Sequence, residues 1–187
     1  MNKETIKKCS QNAISGILMD ILGIGVLIIG ESGTGKSESA LDLIFKGHKL
    51  ISDDLVDIFK SKNGNLIGKS PSLIKNLMEI RGLGIINIKK IFGPSSVEKK
   101  KKIDLVIKLE KWEKEEDFDR LGIEELTHEI MGVNFPLIKI PVAVGRNLSI
   151  LIEVAVRNFI LKRQGYDSVH KLNNKLKKML QAKEKTI

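Results

Sequence analysis

Cysteine is almost absent from this chain: Cys9 stands alone among 187 residues. A lone thiol excludes an intrachain disulfide and fits a reducing, cytoplasmic setting. Histidine is scarce as well. His48, His128 and His170 have no companion Cys or His at metal-ligand spacing, which argues against a zinc site. Aromatic residues make up only 4% of the chain, and no nucleic-acid motif accompanies its basic residues. No charged n-region with a cleavage site opens the sequence, so no signal peptide is expected. A long uninterrupted apolar run is also missing. Residues 13–30 come nearest, but Asp20 lies near the centre and glycines stand at 23, 25 and 30. The stretch reads as two strands, about Ile14–Met19 and Gly25–Ile29, joined by a turn, and no membrane span is expected.

What the chain does contain is ordinary for a soluble globular protein, with 42% hydrophobic and 29% charged residues. Its length is that of one domain, and no internal repeat or long linker divides it. The net charge of +9 is uneven: residues 157–187 carry nine Lys/Arg against Asp167 and Glu184. This basic end reads as a solvated helix face, with no nucleic-acid partner expected.

The chemistry starts at Gly30-Glu31-Ser32-Gly33-Thr34-Gly35-Lys36-Ser37, a G-x-x-x-x-G-K-S phosphate-binding loop. The apolar, β-branched stretch before it reads as a buried strand. Residues 38–46 after it read as a helix with Ala40, Leu41, Ile44 and Phe45 on one face. Strand, glycine loop and helix N-terminus make an anion site, because converging amides and the helix dipole favour phosphate. Lys36 is expected to reach the β- and γ-phosphates of a nucleotide, and the Ser37 hydroxyl to ligate Mg²⁺.

Lys49–Ser52 reads as a strand ending in Asp53-Asp54. Alternation along a strand gives the two carboxylates different directions. One is then available to metal or water and the other to an acceptor hydroxyl, as a general base. Asn63-Gly64 marks a hairpin between Val56–Lys60 and Asn65–Lys69. Residues 78–93 read as a glycine-hinged loop entering a short helix. Within it Glu79 is either a Mg²⁺ ligand or half of a surface pair with Arg81. Lys99–Lys102 reads as a polar lead-in to a strand at Ile103–Leu109, and 110–119 as an exposed charged segment. Arg120 is either a stabiliser of transferring phosphate or a surface ion-pair partner. Val133–Val142 is expected to be extended, at an edge or in a loop because of Pro136 and Pro141. Asn147–Gln164 reads as a helix capped by Asn147 and Gly165, apolar nearly all round, and Ser168–Ala182 as a final amphipathic helix.

Taken together, several segments resemble the C-terminal catalytic domain of the bacterial HPr kinase/phosphorylase family. They are 25–38 around the loop, Gly-His-Lys-Leu-Ile-Ser-Asp-Asp at 47–54 and Met-Glu-Ile-Arg-Gly-Leu-Gly-Ile-Ile-Asn at 78–87. Asp-Arg-Leu-Gly at 119–122 and Gly-Arg-Asn-Leu with Ile-Glu-Val-Ala at 145–155 complete the set. The resemblance implies an α/β P-loop domain, a mixed sheet with flanking helices, related to phosphoenolpyruvate carboxykinase. Motifs would occupy 13–165 and a helical extension 166–187 of a single domain, without the family's N-terminal domain. It implies an ATP- and Mg²⁺-dependent, cytoplasmic protein serine kinase acting on the phosphocarrier HPr, assembled as a hexamer, that regulates carbohydrate metabolism. By the same resemblance Lys36 holds phosphates, Ser37 and Glu79 bind Mg²⁺, and Asp54, beside Asp53, is the base. Arg120 matches the catalytic arginine. Pro141, Val142, Ala143, Val144, Gly145 and Arg146 match the loop used in dephosphorylation. Two departures stand out: Ser15 where the family has histidine before Gly16, and Ala143-Val144 where it has a basic residue and proline. Both bear on phosphorolysis more than on nucleotide binding. The competing readings are a small-molecule kinase on the same fold and a nucleotide-responsive binding protein without catalysis.

Overall fold

The computed structural model describes residues 12–111, 125–167 and 171. Arg120, the charged segment to Asp119 and the helix expected at Ser168–Ala182 lie outside the described residues, except Glu110, Lys111 and Lys171.

Apolar residues at every position of β2 (Ile17–Ile21) except Asp20, and at most of β3 (Ile24–Gly30), require cover on both sheet faces. The fold supplies it with three layers. A six-stranded mixed sheet lies in the middle, in the order β11 (Thr127–Ile130), β12 (Val133–Val142), β10 (Leu105–Lys111), β3, β2, β4 (Lys49–Ser52). β3, β10 and β12 run parallel, and the other pairings are antiparallel. Helices α1 (Lys36–Phe45) and α3 (Leu148–Arg163) cover one face, where Ile17, Met19, Val26, Ile28, Leu43, Ile107, Ile152 and Val156 meet. A four-stranded antiparallel sheet covers the other, in the order β1 (Ala13–Ser15), β5 (Leu55–Lys60), β6 (Leu66–Lys69), β9 (Lys100–Lys102). There Leu18, Leu27, Val56, Ile58, Leu66 and Val106 interlock. The period-2 alternation of β2 sends Ile17 and Met19 to the helices and Leu18 to the second sheet. This two-sided burial explains the near-membrane hydrophobicity of residues 13–30. Among the described residues no helix is long and apolar enough to cross a membrane.

Several local expectations hold. The Asn63-Gly64 turn joins β5 to β6, and Ser61 N–H donates to the Asn65 carbonyl. Asn147 caps α3, its side chain accepting the Ile150 N–H at 3.1 Å. Others are corrected. Residues 77–87 form a hairpin, β7 (Leu77–Ile80) and β8 (Gly84–Asn87), rather than a loop; α2 (Ile88–Phe92) follows. Met78 and Ile80 bury in the main core and hold it down, a long-range contact with little local signature. The lysines at 100–102 form the edge strand β9, where charge blunts further strand addition. On α1 Leu43 is buried and Phe45 is 72% exposed, meeting the Phe92 ring edge-on at 4.8 Å. β12 is an internal strand. It tolerates two prolines because residues 133–136 pair only with β11 and 137–142 only with β10.

Candidate functional site

β3 ends at the glycine loop, so the loop opens at the carboxyl edge of the central sheet, where ligands of open α/β sheets bind. Gly30 has φ +149°, and a β-carbon there would lie 2.5 Å from the Leu109 carbonyl oxygen, so β10 leaves no room for a side chain. Gly33 and Gly35 take positive φ, and Thr34 is buried with its hydroxyl on the Glu31 carbonyl at 2.8 Å. The Lys36 ammonium donates to the Gly30 and Glu31 carbonyls at 2.8 and 2.7 Å, which holds it across the loop. The surface pair of Glu31 with Lys111 is mostly exposed and contributes little.

Of the acidic residues Asp53 contacts this loop, and Glu79 meets Asp53 through its backbone N–H with its own side chain exposed. Asp53 is 4% exposed and accepts the Ser37 hydroxyl at 3.3 Å and the Glu79 N–H at 3.1 Å. The donors are neutral, and burial pushes the Asp53 carboxyl up to about 6, with the Asp54 charge adding to it. The Glu79 amide and the Ser37 hydroxyl pull the other way. The two aspartates part company for a different reason than strand alternation. Asp54 sits in a corner between β4 and β5 with φ +65°, a left-handed conformation that costs of order 1–3 kcal/mol. Leu55 N–H to the Asp53 carbonyl and Gly16 N–H to the Asp54 carbonyl pin that corner at 2.8 and 3.1 Å. Asp53 therefore turns inward to Ser37, while Asp54 stays half-buried beside it.

Ser15 pairs with Leu55 across β1 and β5, which sets position 15 next to the acidic corner. Residues 141–146 end β12 and turn into α3. Val144 is exposed there, and Arg146 closes the turn on the Pro141 carbonyl at 3.1 Å. The Leu148 side chain comes within 3.4 Å of where a Gly35 β-carbon would be, so α3 starts against the glycine loop. One contact had no clear sequence signal. The Arg81 guanidinium nitrogens lie 4.0 Å from the β-carbon position of Gly33, over the loop. In the sequence Arg81 is marked only by the two glycines, Gly82 and Gly84, that follow it.

A buried carboxylate with a raised pKa predicts a stability effect. Its folded value, about 6, exceeds the ordinary 3.8, so the folded state binds the proton more tightly and stability falls as pH rises from about 4 to about 6. Ionised Asp53 then costs about 2–3 kcal/mol at neutral pH. Asp53→Asn, which keeps an acceptor and a donor, is expected to raise the melting temperature in EDTA at pH 7.5 by about 5 °C. The gain should shrink as pH falls toward 4. A pH-independent gain in the same melts would contradict an ionised buried carboxylate.

The model of the HPr Serine kinase C-terminal domain matches residues 7–176. A curated HPr kinase/phosphorylase 1 of Oceanobacillus iheyensis is 49% identical over 172 residues, 92% of this chain and 56% of its own length. The HPr kinase/phosphorylase of Geobacter sulfurreducens is 51% identical over 163 residues, 87% of this chain and 51% of its own. The solved Hpr(Ser) kinase/phosphatase from Coxiella burnetii superposes with a TM-score of 0.78 at 42% identity, covering 87% of this chain and 98% of that one. The chain spans about half the length of the curated relatives it matches. With the family model spanning nearly the whole chain, and a relative of known structure sharing its fold, this chain belongs to the HPr serine kinase C-terminal domain family.

Proposed function

We propose that the chain is the catalytic part of an ATP-dependent protein serine kinase that acts on HPr and can also run the reverse phosphorolysis. The observation that carries this reading is the contact of Ser37 in the phosphate loop with buried Asp53, the neighbour of Asp54. A hydroxyl and a carboxylate joined in this way are oxygen donors suited to a hard divalent cation, and neutral donors leave the Asp53 charge for one. Ser37 and Glu79, with Asp53 behind Ser37, would hold Mg²⁺, which would supply charge neutralisation for the phosphates. Lys36 binds the β- and γ-phosphates. Asp54 takes the proton of the acceptor serine as its oxygen bonds to the γ-phosphorus and the bond to ADP breaks. In reverse, inorganic phosphate attacks phosphoserine, Asp54 returns the proton, and serine and pyrophosphate leave. Arg120 stabilises the transferring phosphoryl group, and residues 141–146 bind the attacking phosphate.

Incubation with labelled ATP, Mg²⁺ and purified HPr, followed by phosphosite mapping, tests the reading. A single phosphoserine on HPr is the expected result. Turnover of ATP with HPr unlabelled would favour a small-molecule acceptor, and no turnover a nucleotide-responsive binding protein.

The direction of transfer should be biased. Ser15 beside the acidic corner lacks the charge and proton-transfer capacity of imidazole. Free phosphate lacks the nucleotide tether that aids the forward reaction, so a missing cationic group hurts phosphorolysis more. Ser15→His is expected to raise phosphorolysis by about tenfold and the kinase rate by less, with both rates measured on one preparation. Equal gains in both directions would sink the idea.

A homo-oligomer, a hexamer by the family's habit, is part of the same reading. Ile150, Val154 and Leu161 on α3 are 49%, 55% and 43% exposed, an apolar stripe that an adjoining subunit would cover. Light scattering at micromolar concentration should return a multiple of the 20.9 kDa chain mass; a monomer mass would count against assembly.

A further inference from the structure

We infer that Arg81 is a phosphate ligand of the site, a guanidinium that closes over the glycine loop onto the phosphate group seated outermost there. This rests on reading residues 30–37 as the nucleotide site, and not on the identity of the acceptor. Met78 and Ile80 are buried in the main core, and the Glu79 N–H donates to Asp53, so β7 is fixed to the floor of the site. The turn that follows is free of such anchors. Gly82 and Gly84 take φ of +89° and +82°, and Leu83 is 71% exposed. Arg81 stands where the fixed strand meets this turn, and both terminal nitrogens of its guanidinium lie 4.0 Å from the β-carbon position of Gly33.

Two features point to an anion rather than to a structural role. None of the ion pairs among the described residues takes up the Arg81 charge. The loop beneath it is built from backbone N–H groups and Lys36, which attract the same kind of ligand. A guanidinium offers a planar fork that matches two oxygens of one phosphate, where an ammonium offers a point charge. Lys36 reaches the loop from the first turn of α1, while Arg81 reaches Gly33 from the end of β7. The phosphate that is transferred must face Asp54, and the hairpin that carries Arg81 is anchored to Asp53 beside it, so Arg81 is assigned to the γ-position. The same position takes ATP's terminal phosphate in one direction and inorganic phosphate in the other.

Binding measured without HPr separates this assignment from the identity of the acceptor. Fluorescent analogues of ATP and ADP, and inorganic phosphate by calorimetry, are titrated into the full chain with Mg²⁺. Arg81→Ala is expected to weaken ATP about thirtyfold, as loss of a charge-assisted contact does, and ADP less than threefold. Arg81→Lys should recover part of the loss, because the charge stays and the fork goes. Inorganic phosphate affinity should fall in parallel with that of ATP. Equal losses for ATP and ADP would move the guanidinium to the β-phosphate and overturn the assignment, as would unchanged ATP affinity. Failure of the wild-type chain to bind either nucleotide would overturn the reading of the loop itself. Circular dichroism melts check that the exposed turn tolerates the substitutions.

Discussion

Lys36→Ala is expected to reduce phosphoryl transfer by about 10²–10³-fold at saturating ATP, the loss typical of removing one preorganised charge-stabilising group. The ammonium lies across the loop mouth between the Gly30 and Glu31 carbonyls, at 2.8 and 2.7 Å, so its position is set before any phosphate arrives. That preorganisation makes the residue costly to lose in transfer. The fold should survive. Lys36 is half-buried at the first turn of α1, and its side chain faces the loop rather than the cluster of Ala40, Leu43 and Ile44. Melting followed by circular dichroism should therefore change by only a few degrees. Unchanged transfer at saturating ATP would refute the assignment.

Asp54→Asn is expected to lose acceptor phosphorylation by about 10²–10⁴-fold while nucleotide affinity stays near the wild-type value. An amide cannot take the serine proton. The substitution is also structurally quiet, because asparagine enters the left-handed region more readily than most residues and Asp54 already has φ +65°. The corner hydrogen bonds use the backbone of Asp53, Asp54 and Leu55, which the substitution leaves alone. Rapid-mix assays with HPr and equilibrium nucleotide binding, run side by side, separate the two effects. If the Asn variant phosphorylates at the wild-type rate, Asp54 is not the base. Loss of reverse phosphorolysis in the same variant should match the forward loss, since one proton is moved in both directions.

Where signals are local, sequence and structure coincide closely. The glycine loop needs positive φ at fixed positions, the Asn63-Gly64 hairpin needs a tight turn, and Asn147 caps a helix; each is written in a few neighbouring residues. The strand Lys49–Ser52 is found with the same bounds. Misreadings cluster where distant segments decide. Residues 77–87 carry a loop signal in Gly82 and Gly84, yet burial of Met78 and Ile80 under α1 makes them a hairpin. Lys100–Lys102 has no apolar residue to announce a strand, yet pairs with β6 because that edge is open. Phe45 lies on the helix face chosen from periodicity but emerges at its rim beside Phe92.

By itself the sequence determined the phosphate loop, the acidic pair that follows it, the strands that flank them and the family. These depend on backbone torsions, caps and short motifs, which are properties of residues adjacent in the chain. Only the tertiary structure decided that Asp53 rather than Asp54 turns inward to Ser37, that its carboxyl is pushed up to about 6, and that the Arg81 guanidinium stands over Gly33. Burial and the approach of charged groups depend on which distant strands and helices meet. In this chain that meeting is set by a sheet whose two faces are covered by different layers, an arrangement no window of neighbouring residues records.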